Sequence, residues 1–369
     1  MKINKIKICF LYIILILNII LVKYFIRNNG INFNFKSKNR IGVIGLEHSQ
    51  NVGNNLLKYA IHIKLSELGM IPYIIGKLFH KSNISFLKNH TNIILINNFS
   101  QINQNDFDIL MVNSDQTWRK WNNDFYDIAF LRFSENWKIP KFVYAASLGY
   151  DHWVFNEKDE IIAKNLLNNF TGISVREISS VDLIEKHLGI RAQFVLDPTF
   201  LISKQNYLDL IKDFKSEVIN QIKNNKFIFV YVISGSNNMK SYMKYAKEVL
   251  NIDIFYITVL TKNQIKEFLY GIINSIAVIT DSYHGTVFSI IFKKPFVSFI
   301  NNFNDHSRFK SLYSYNSLDE IFNIKNRIFD SHTMPPISLL TQNLTLDDTK
   351  LMSLKKESID YLKKNLNLK

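Results

Sequence analysis

The chain has 369 residues, which is enough for two domains of ordinary size. Its hydrophobic content of 47% and its charged content of 21% are those of a globular protein and exclude an intrinsically disordered chain. A formal net charge of +14 fits acidic partners such as phosphorylated substrates, but the positive residues are dispersed and no nucleic-acid-binding motif is present, so no nucleic acid partner is expected. The single cysteine, Cys9, excludes a disulfide-stapled fold and a cysteine metal site in the globular part.

An apolar stretch at the N-terminus, Ile8–Ile26, predicts a single-pass membrane anchor. A helix of this length, at about 1.5 Å per residue, just spans a bilayer core. No small-residue cleavage site follows, which disfavours a signal peptide that is removed; an interfacial helix or a non-native leader is the alternative. The larger number of positive residues lies after the stretch and favours a cytoplasmic main body. We assign residues 1–28 to a transmembrane or signal-anchor segment and residues 29–39 to a linker.

Residues 40–205 predict a first α/β domain. The strand Arg40–Leu46 leads into a helix over Asn54–Gly69, and Ile71–Gly76 is the next strand, so the domain opens with a βαβ unit. Further strands are predicted at Asn92–Ile96, Phe107–Val112, Lys141–Ser147, Gly172–Val175 and Gln193–Leu196, with helices at Glu157–Phe170 and Ser179–Leu188. This alternation indicates a mostly parallel sheet with helices on both faces.

Residues 206–369 predict a second α/β domain, which begins with a polar, helix-like stretch, Asn206–Asn225. The predicted strands are Lys226–Ser234, Asp253–Thr258, Ile276–Thr280 and Pro295–Phe299, and the predicted helices are Met239–Leu250, Asn263–Asn274, Gly285–Phe292 and a C-terminal Leu351–Leu366. The expected fold class is therefore α/β with two Rossmann-like domains, GT-B-like in layout, preceded by an N-terminal membrane-anchor helix. In such folds ligands bind beyond the carboxyl ends of the strands.

Polar residues follow several of these strands and are candidates for binding a substrate. In the first domain they are Asn51, Gly53, Ser114 and Asp115. Gly53 allows close backbone approach at a helix start, where unpaired N–H groups can meet an anion. Arg176 ends another strand and can hold a carboxylate or phosphate through its planar fork. A structural salt bridge to Glu177 or another acid is the alternative for this arginine.

The segment "TDSYHG" joins a strand to a helix in the second domain. Asp281 or Ser282 can cap that helix, and Gly285 and Thr286 place backbone N–H groups at its positive end. Ser282, Gly285 and Thr286 are therefore further candidates for binding a substrate. His284 in the first turn is a candidate general acid or base near neutral pH, and a purely structural histidine is the alternative. No spacing typical of a metal site is present.

The motifs "NVG", "NSDQTW", "YAASLG", "SVRE", "VLDPTFLI" and "DSYHGTVFSIIFKKPFVSF" occur in this order. Together they closely resemble the polysaccharide pyruvyl transferase family, over roughly residues 40 to 365. The resemblance implies a GT-B-like enzyme that transfers a pyruvate ketal from phosphoenolpyruvate to a sugar. The sugar would belong to a cell-surface glycan, such as a capsule or exopolysaccharide, or to its lipid-linked precursor.

The same resemblance assigns roles to three residues. His284 is the expected catalytic acid or base, and Arg176 is expected to hold phosphoenolpyruvate. Arg308 is a second expected anion contact, in a segment where His306 replaces a commoner asparagine. No cofactor is implied beyond the donor substrate. A GT-B glycosyltransferase that uses a nucleotide sugar is the alternative function, and an inactive subunit of a glycan-assembly complex is a third.

Overall fold

The computed structural model describes residues 38–46, 51–77, 81–120, 125–215, 226–258, 264–300, 306–313, 324–330 and 332–368. The predicted anchor and nearly all of the predicted linker lie outside these ranges. No helix within the described ranges is both long and apolar enough to span a membrane. Residues Asn39–Lys369 form one compact unit, and the structure below is that of this unit.

The first sheet contains strands from the N-terminal half of the unit. They are β1 (Arg40–Ile44), β2 (Ile71–Lys77), β3 (Ile93–Ile96), β4 (Ile109–Val112), β5 (Lys141–Ala146), β6 (Gly172–Val175) and β7 (Gln193–Phe194). Their order is β3-β2-β1-β4-β5-β6-β7, and the pairings are parallel. The helices of this half are α1 (Val52–Glu67), α2 (Lys81–His90), α3 (Phe125–Phe130), α4 (Glu157–Leu167), α5 (Ile178–Leu188) and α6 (Lys204–Ile211). The strand order reverses between β1 and β4, which makes the crevice beyond these two strands the expected ligand position.

The second sheet is also parallel, with the order β12-β11-β10-β8-β9. Its strands are β8 (Phe227–Val232), β9 (Asp253–Thr258), β10 (Ala277–Thr280), β11 (Phe296–Ile300) and β12 (Ile328–Asp330). The accompanying helices are α7 (Asn237–Leu250), α8 (Gln264–Asn274), α9 (Tyr283–Ile291), α10 (His306–Tyr313) and α11 (Asp348–Asn365). The parallel α/β architecture predicted from the sequence is confirmed.

Helix α1 is buried on both sides. Ile61 and Leu65 pack in the core of the first sheet, whereas Val52 and Leu56 belong to a hydrophobic cluster that also contains Phe288 of α9. This explains why the apolar residues of α1 cover more of its surface than the single stripe of a half-exposed helix. The shared cluster brings the start of α1 against the second half of the molecule.

The C-terminal helix α11 follows the second sheet in sequence but packs on the first. The Tyr361 hydroxyl donates to the carbonyl of Val143 at 2.8 Å, and the Leu196 N–H donates to the Ser358 hydroxyl at 2.9 Å. The sequence alone places this helix in the second predicted domain, residues 206–369. The boundary between residues 205 and 206 stays a prediction.

Candidate active site

His284 lies in the first turn of α9, where it meets the first turn of α1. Ser282 caps this helix, since its hydroxyl accepts the N–H of Gly285 at 3.2 Å. The whole of His284 is only 3% exposed. A Cβ atom built on Gly53 would stand 2.0 Å from His284 Nδ1. Only glycine leaves room for the imidazole at this position. The structure therefore brings Gly53 and His284 together, although they are far apart in the sequence.

Asp197, which the sequence analysis did not single out, lies on the other side of His284. Its Oδ2 atom is 3.7 Å from His284 Nε2. Its Oδ1 atom accepts hydrogen bonds from the Thr199 N–H and hydroxyl at 3.0 and 2.7 Å, which fix the carboxylate. Burial would raise the pKa of Asp197, but the contact with His284 and the charge of Arg176 hold it well below its usual range. An ionised carboxylate therefore faces the imidazole ring.

Arg176 follows β6 and is surrounded by carboxylates. Its Nη1 atom donates to Asp197 at 2.6 Å, its Nη2 atom to Asp115 at 3.0 Å, and its Nε atom lies 3.5 Å from Glu177. Burial disfavours the charged guanidinium, but these carboxylates outweigh it and raise the pKa of Arg176 further. The structural salt bridge that the sequence left open is thus present. Contact between Arg176 and a donor substrate stays a prediction.

Asp115 follows β4 and links the first sheet to the start of α1. Its carboxylate accepts a hydrogen bond from Asn54 Nδ2 at 3.0 Å in addition to the ion pair with Arg176. The backbone of Asp115 has φ of 84°, a left-handed conformation that costs a non-glycine residue about 1–3 kcal/mol. Burial would raise the pKa of Asp115, but Arg176 and other positive neighbours keep it well below its usual range. These bonds hold a strained residue at the switch point.

Glu177 behaves differently from the two aspartates. Its side chain is fully buried, and burial outweighs the charge of Arg176, so the pKa of Glu177 is raised. The Ser180 hydroxyl donates to its Oε2 atom at 3.3 Å. Among the acids around Arg176, Glu177 is the one whose pKa lies above its ordinary value.

Tyr283 places an aromatic ring beside two guanidinium groups. Arg176 Cζ lies 4.7 Å from the centre of this ring, and Arg308 Cζ lies 5.6 Å from it. Arg308 is half-buried and belongs to α10, so the structure brings this predicted anion contact to the same site. The sequence analysis noted the motif around Tyr283 but gave the residue no role. Its place directly before a candidate catalytic histidine is the feature of the sequence that could have identified Tyr283 as a residue of the site.

The buried polar atoms that lack a hydrogen-bond partner among the described residues include three near the switch point. They are Asn54 Oδ1, Asn113 Oδ1 and Ser114 Oγ, and each of these residues is only 1% exposed. Because the Asn54 amide nitrogen is used by Asp115, its oxygen is the atom that is left over. Buried polar atoms are normally paired, so these three are suited to a polar ligand that carries hydroxyl groups.

Asp281 and Asn51 have structural contacts in this arrangement. Asp281 accepts hydrogen bonds from three successive N–H groups, those of Ile233, Ser234 and Gly235, at 2.7, 2.9 and 2.7 Å. It therefore holds the loop after β8 rather than capping α9. Asn51 caps α1 by accepting the N–H of Asn54 at 3.2 Å.

The backbone amides of Gly285 and Thr286 are engaged within α9. The Gly285 N–H donates to the Ser282 hydroxyl, and the Thr286 N–H donates to the Ser282 carbonyl at 3.0 Å. A Cβ atom on Gly285 would stand 2.3 Å from Thr280 Oγ1, so this glycine allows α9 to lie close to β10. Binding of a substrate by Ser282, Gly285 or Thr286 stays a prediction. No three His, Cys, Asp or Glu side chains in the described ranges are grouped so that they could hold a metal ion.

The sequence model of polysaccharide pyruvyl transferases matches residues 20–302. The chain belongs to the polysaccharide pyruvyl transferase family. The match includes both sides of the site, from Gly53 through Asp197 to His284, whereas Arg308 lies beyond it. Membership makes the protein a transferase of polysaccharide biosynthesis and confirms the resemblance predicted from the motifs. No curated protein sequence matches the chain.

Two solved structures show what this chain resembles at the level of the fold. Arabidopsis thaliana UGT89C1, complexed with UDP-L-rhamnose, has a TM-score of 0.51 at 9% identity over 90% of this chain and 98% of its own. UDP-GlcNAc 2-epimerase from Methanocaldococcus jannaschii has a TM-score of 0.50 at 13% identity over 82% of this chain and 90% of its own. The fold is thus of the GT-B glycosyltransferase and epimerase type.

Proposed function

We propose that this family member transfers pyruvate from phosphoenolpyruvate to two hydroxyl groups of one sugar and forms a cyclic ketal. The sugar belongs to a cell-surface glycan, such as a capsule or exopolysaccharide, or to its lipid-linked precursor. The observation that supports this most is the position of His284, which is buried at a helix start between Gly53 and the ionised Asp197. An imidazole beside a fixed carboxylate is suited to repeated proton transfer.

The proposed reaction needs protons to move in both directions. The methylene carbon of phosphoenolpyruvate gains one proton and becomes a methyl group. Each of the two sugar hydroxyls forms a bond to the central carbon and loses its proton. The bond from that carbon to the phosphate oxygen breaks, and phosphate leaves with the bonding electrons and takes up the second proton. A single group that can both accept and donate protons can serve these steps.

His284 is the proposed proton carrier, and its neighbours are given supporting roles. Asp197 orients the ring through its Nε2 side, since the carboxylate is itself fixed by Thr199 and Arg176. Arg176 holds Asp197 and Asp115 in place from a fully buried position. Its own charge is already offset by carboxylates, so binding the donor there requires one of these pairs to open.

Arg308 is the proposed main contact for the anionic groups of the donor. It is half-buried and lies against the same tyrosine ring as Arg176, so it is within the site yet closer to solvent. Guanidinium groups bind carboxylates and phosphates in bidentate geometry. The starts of α1 and α9 meet at the same place, and their dipoles also favour a negative charge there.

Binding of the donor tests this proposal against its alternative, a glycosyltransferase that uses a nucleotide sugar. The fold likeness to a protein complexed with UDP-L-rhamnose is the observation that favours the alternative. A ligand at a hundred times its dissociation constant stabilises the folded state by about 2.7 kcal/mol, which a melting experiment detects easily. We expect phosphoenolpyruvate to raise the melting temperature of the purified protein and UDP-L-rhamnose and UDP-GlcNAc to leave it unchanged. The opposite pattern supports the alternative.

We further propose that Ile8–Ile26 anchors the protein in a membrane, with the described unit on the cytoplasmic side. The long apolar stretch and the distribution of its flanking positive charges support this arrangement. A lipid-linked acceptor is held at the same membrane surface, so an anchored enzyme meets it at a raised local concentration.

A further inference from the structure

The loop between β5 and α4 lies beside the candidate active site. It carries aromatic and polar side chains of the kind that bind carbohydrates, and several of them are exposed. Residues Tyr150 to Val154 carry aromatic, acidic and imidazole side chains, and Asp151 and His152 are well exposed. The Arg119 guanidinium lies 4.9 Å from the centre of the Tyr150 ring. The ring of His152 lies 5.4 Å from that of Tyr150. Aromatic rings with a few well-placed polar groups are typical of small-molecule sites.

This loop is fixed at both of its ends. At its start, Gly149 has φ of 73°, and a Cβ atom there would stand 2.9 Å from Gln116 Nε2 and 3.2 Å from Arg119 Cδ. At its end, the Trp153 ring stacks on His187 with 4.5 Å between centres, and Phe155 is buried. A surface loop held in this way presents its side chains in one arrangement, which lowers the entropic cost of binding.

Position connects the loop to the reacting groups. Gly149 lies against Gln116, the residue directly after Asp115. The pKa of Asp151 lies below its ordinary value, chiefly because of its hydrogen bond with His152, and Lys310 of α10 adds to the shift. Arg308 is on the same helix as Lys310, and its positive charge helps to lower the pKa of Asp115. The loop therefore lies on the same side of the unit as the candidate active site.

A second observation comes from the buried atoms at the switch point. Asn54 Oδ1 is a hydrogen-bond acceptor whose orientation is fixed by the bond from Asn54 Nδ2 to Asp115, and Asn113 and Ser114 add two more atoms without a partner among the described residues. An acceptor oxygen matches a sugar hydroxyl, which can donate. It does not match phosphoenolpyruvate, whose carboxylate and phosphate oxygens only accept when ionised.

We infer that the acceptor glycan lies along the carboxyl ends of β1, β4 and β5. Its reacting sugar contacts Asn54, Asn113 and Ser114, and a neighbouring sugar of the same glycan contacts Arg119, Tyr150 and His152. The inference rests on the proposed function for the identity of the reaction, but the glycan contact itself is separate from the donor. The ligand class is an oligosaccharide of two or more sugars, because the inference places one sugar at the buried atoms and a second at the exposed loop.

An array that carries oligosaccharides released from the surface glycan of the host, probed with the full-length protein and no donor, tests this inference. We expect binding to oligosaccharides of two or more sugars. Tyr150→Ala and His152→Ala should each weaken it about three- to tenfold, the effect expected of one aromatic or hydrogen-bond contact. Tyr150→Phe keeps the ring and should bind nearly as well as the wild type. Tyr245→Ala removes an aromatic side chain that is exposed on α7, outside the loop, and is the control.

Each result has a defined consequence. If the wild-type protein binds no oligosaccharide, or if Tyr150→Ala and His152→Ala bind as tightly as the wild type, the inference is wrong. His152 is exposed and its substitution is compatible with folding, so a folding defect in the Tyr150 variant leaves the test intact. Weakened glycan binding without pyruvyl transfer from phosphoenolpyruvate means that the surface is correct and the proposed reaction is not. If pyruvyl transfer from phosphoenolpyruvate is observed but glycan binding is unchanged in both variants, the proposed reaction is correct and the binding surface is not.

Discussion

His284 Nδ1 occupies the space that a side chain at Gly53 would need, with only 2.0 Å between the nitrogen and a Cβ atom built on the glycine. His284 lies in the first turn of α9, which follows strand β10 of the second sheet. Gly53 lies in the first turn of α1, which follows strand β1 of the first sheet. The hydrophobic cluster that contains Val52 and Phe288 holds these helices together. The position of the candidate catalytic histidine therefore depends on how the two halves of the unit pack.

The first prediction concerns Gly53→Ala. The added methyl group overlaps the imidazole, and overpacking of this kind costs about 1–3 kcal/mol or displaces the ring. Since misplacement of a reacting group by about 1 Å can cost on the order of a hundredfold in rate, we expect turnover to fall by up to this factor. Gly76→Ala is the matched control, because a Cβ there meets nothing within 4 Å. Equal turnover and melting temperature in the two variants would show that the contact with His284 is unimportant.

The second prediction compares two arginines. Arg308→Lys keeps the charge but loses the bidentate fork, so donor affinity should fall by about one to two decades, the equivalent of roughly 1.5–3 kcal/mol, with little change in melting temperature. Arg176→Lys removes bonds to two buried carboxylates, so its main effect should be a lower melting temperature. Calorimetric titration with phosphoenolpyruvate and thermal melts on both variants check this. If Arg176→Lys melts normally but no longer binds the donor, Arg176 is the main donor contact and its structural role is minor.

The third prediction is a dependence of stability on pH. The pKa of Asp115 lies below its ordinary value of 3.8, so its contribution to stability is fully present above that pH and is lost as the pH falls toward the lower folded value. Asp115→Asn should therefore be less stable than the wild type at pH 7, and the difference should shrink below about pH 4. Glu177 has a raised pKa and acts in the opposite direction, since its protonation favours the folded state.

Urea unfolding between pH 7 and pH 3 measures this difference. Asp253→Asn removes an exposed carboxylate on β9 and is the control, because surface substitutions usually change stability by less than about 0.5 kcal/mol. A difference between wild type and Asp115→Asn that stays constant over the whole range would contradict the paired, ionised state of Asp115.

The fourth prediction concerns the N-terminal segment. Deletion of residues 1–28 should move the protein from the membrane fraction to the soluble fraction, and a reporter fused after Lys369 should be active on the cytoplasmic side. Fractionation and the reporter assay check the two parts separately. Reporter activity on the far side of the membrane would reverse the proposed orientation, and membrane retention of the truncated protein would show that another surface binds the membrane.

The regular elements of both sheets could be predicted from the sequence because their apolar runs are short and separated by helical patterns. Helix α1 was predicted to begin at Asn54 and begins at Val52, a difference typical of helix ends. The helices α2, α3 and α10 and the strand β12 were not predicted. They are short, and elements of this length depend on tertiary packing rather than on their own periodicity. The predicted helix Asn206–Asn225 is present as α6 up to Ile211, and residues 216–225 lie outside the described part.

The candidate site was predicted only in part. The rule that ligand-binding residues follow strands identified Asp115, Arg176 and His284, which the structure brings together. It could not identify Asp197 as the carboxylate between Arg176 and His284, because that contact joins residues from different parts of the chain. Nor could it show that three acids surround Arg176 or that Gly53 makes room for the ring of His284. Such facts follow from packing between the halves, which periodicity does not encode.

The most direct test of the central claim is the mass of the surface glycan. It is measured in cells whose chromosomal copy of this gene is deleted and replaced by a copy on a plasmid. With the wild-type gene, the modified sugar should be heavier by one pyruvate less one water. With His284→Asn, which keeps a similar shape but cannot transfer protons in the same way, the increment should be nearly absent, since general acid–base catalysis contributes about 10²–10⁴-fold. As a control, the wild-type protein and the His284→Asn variant are checked to be present at equal levels in the cells. A glycan whose mass is the same with the wild-type gene, with His284→Asn and without either would contradict the account.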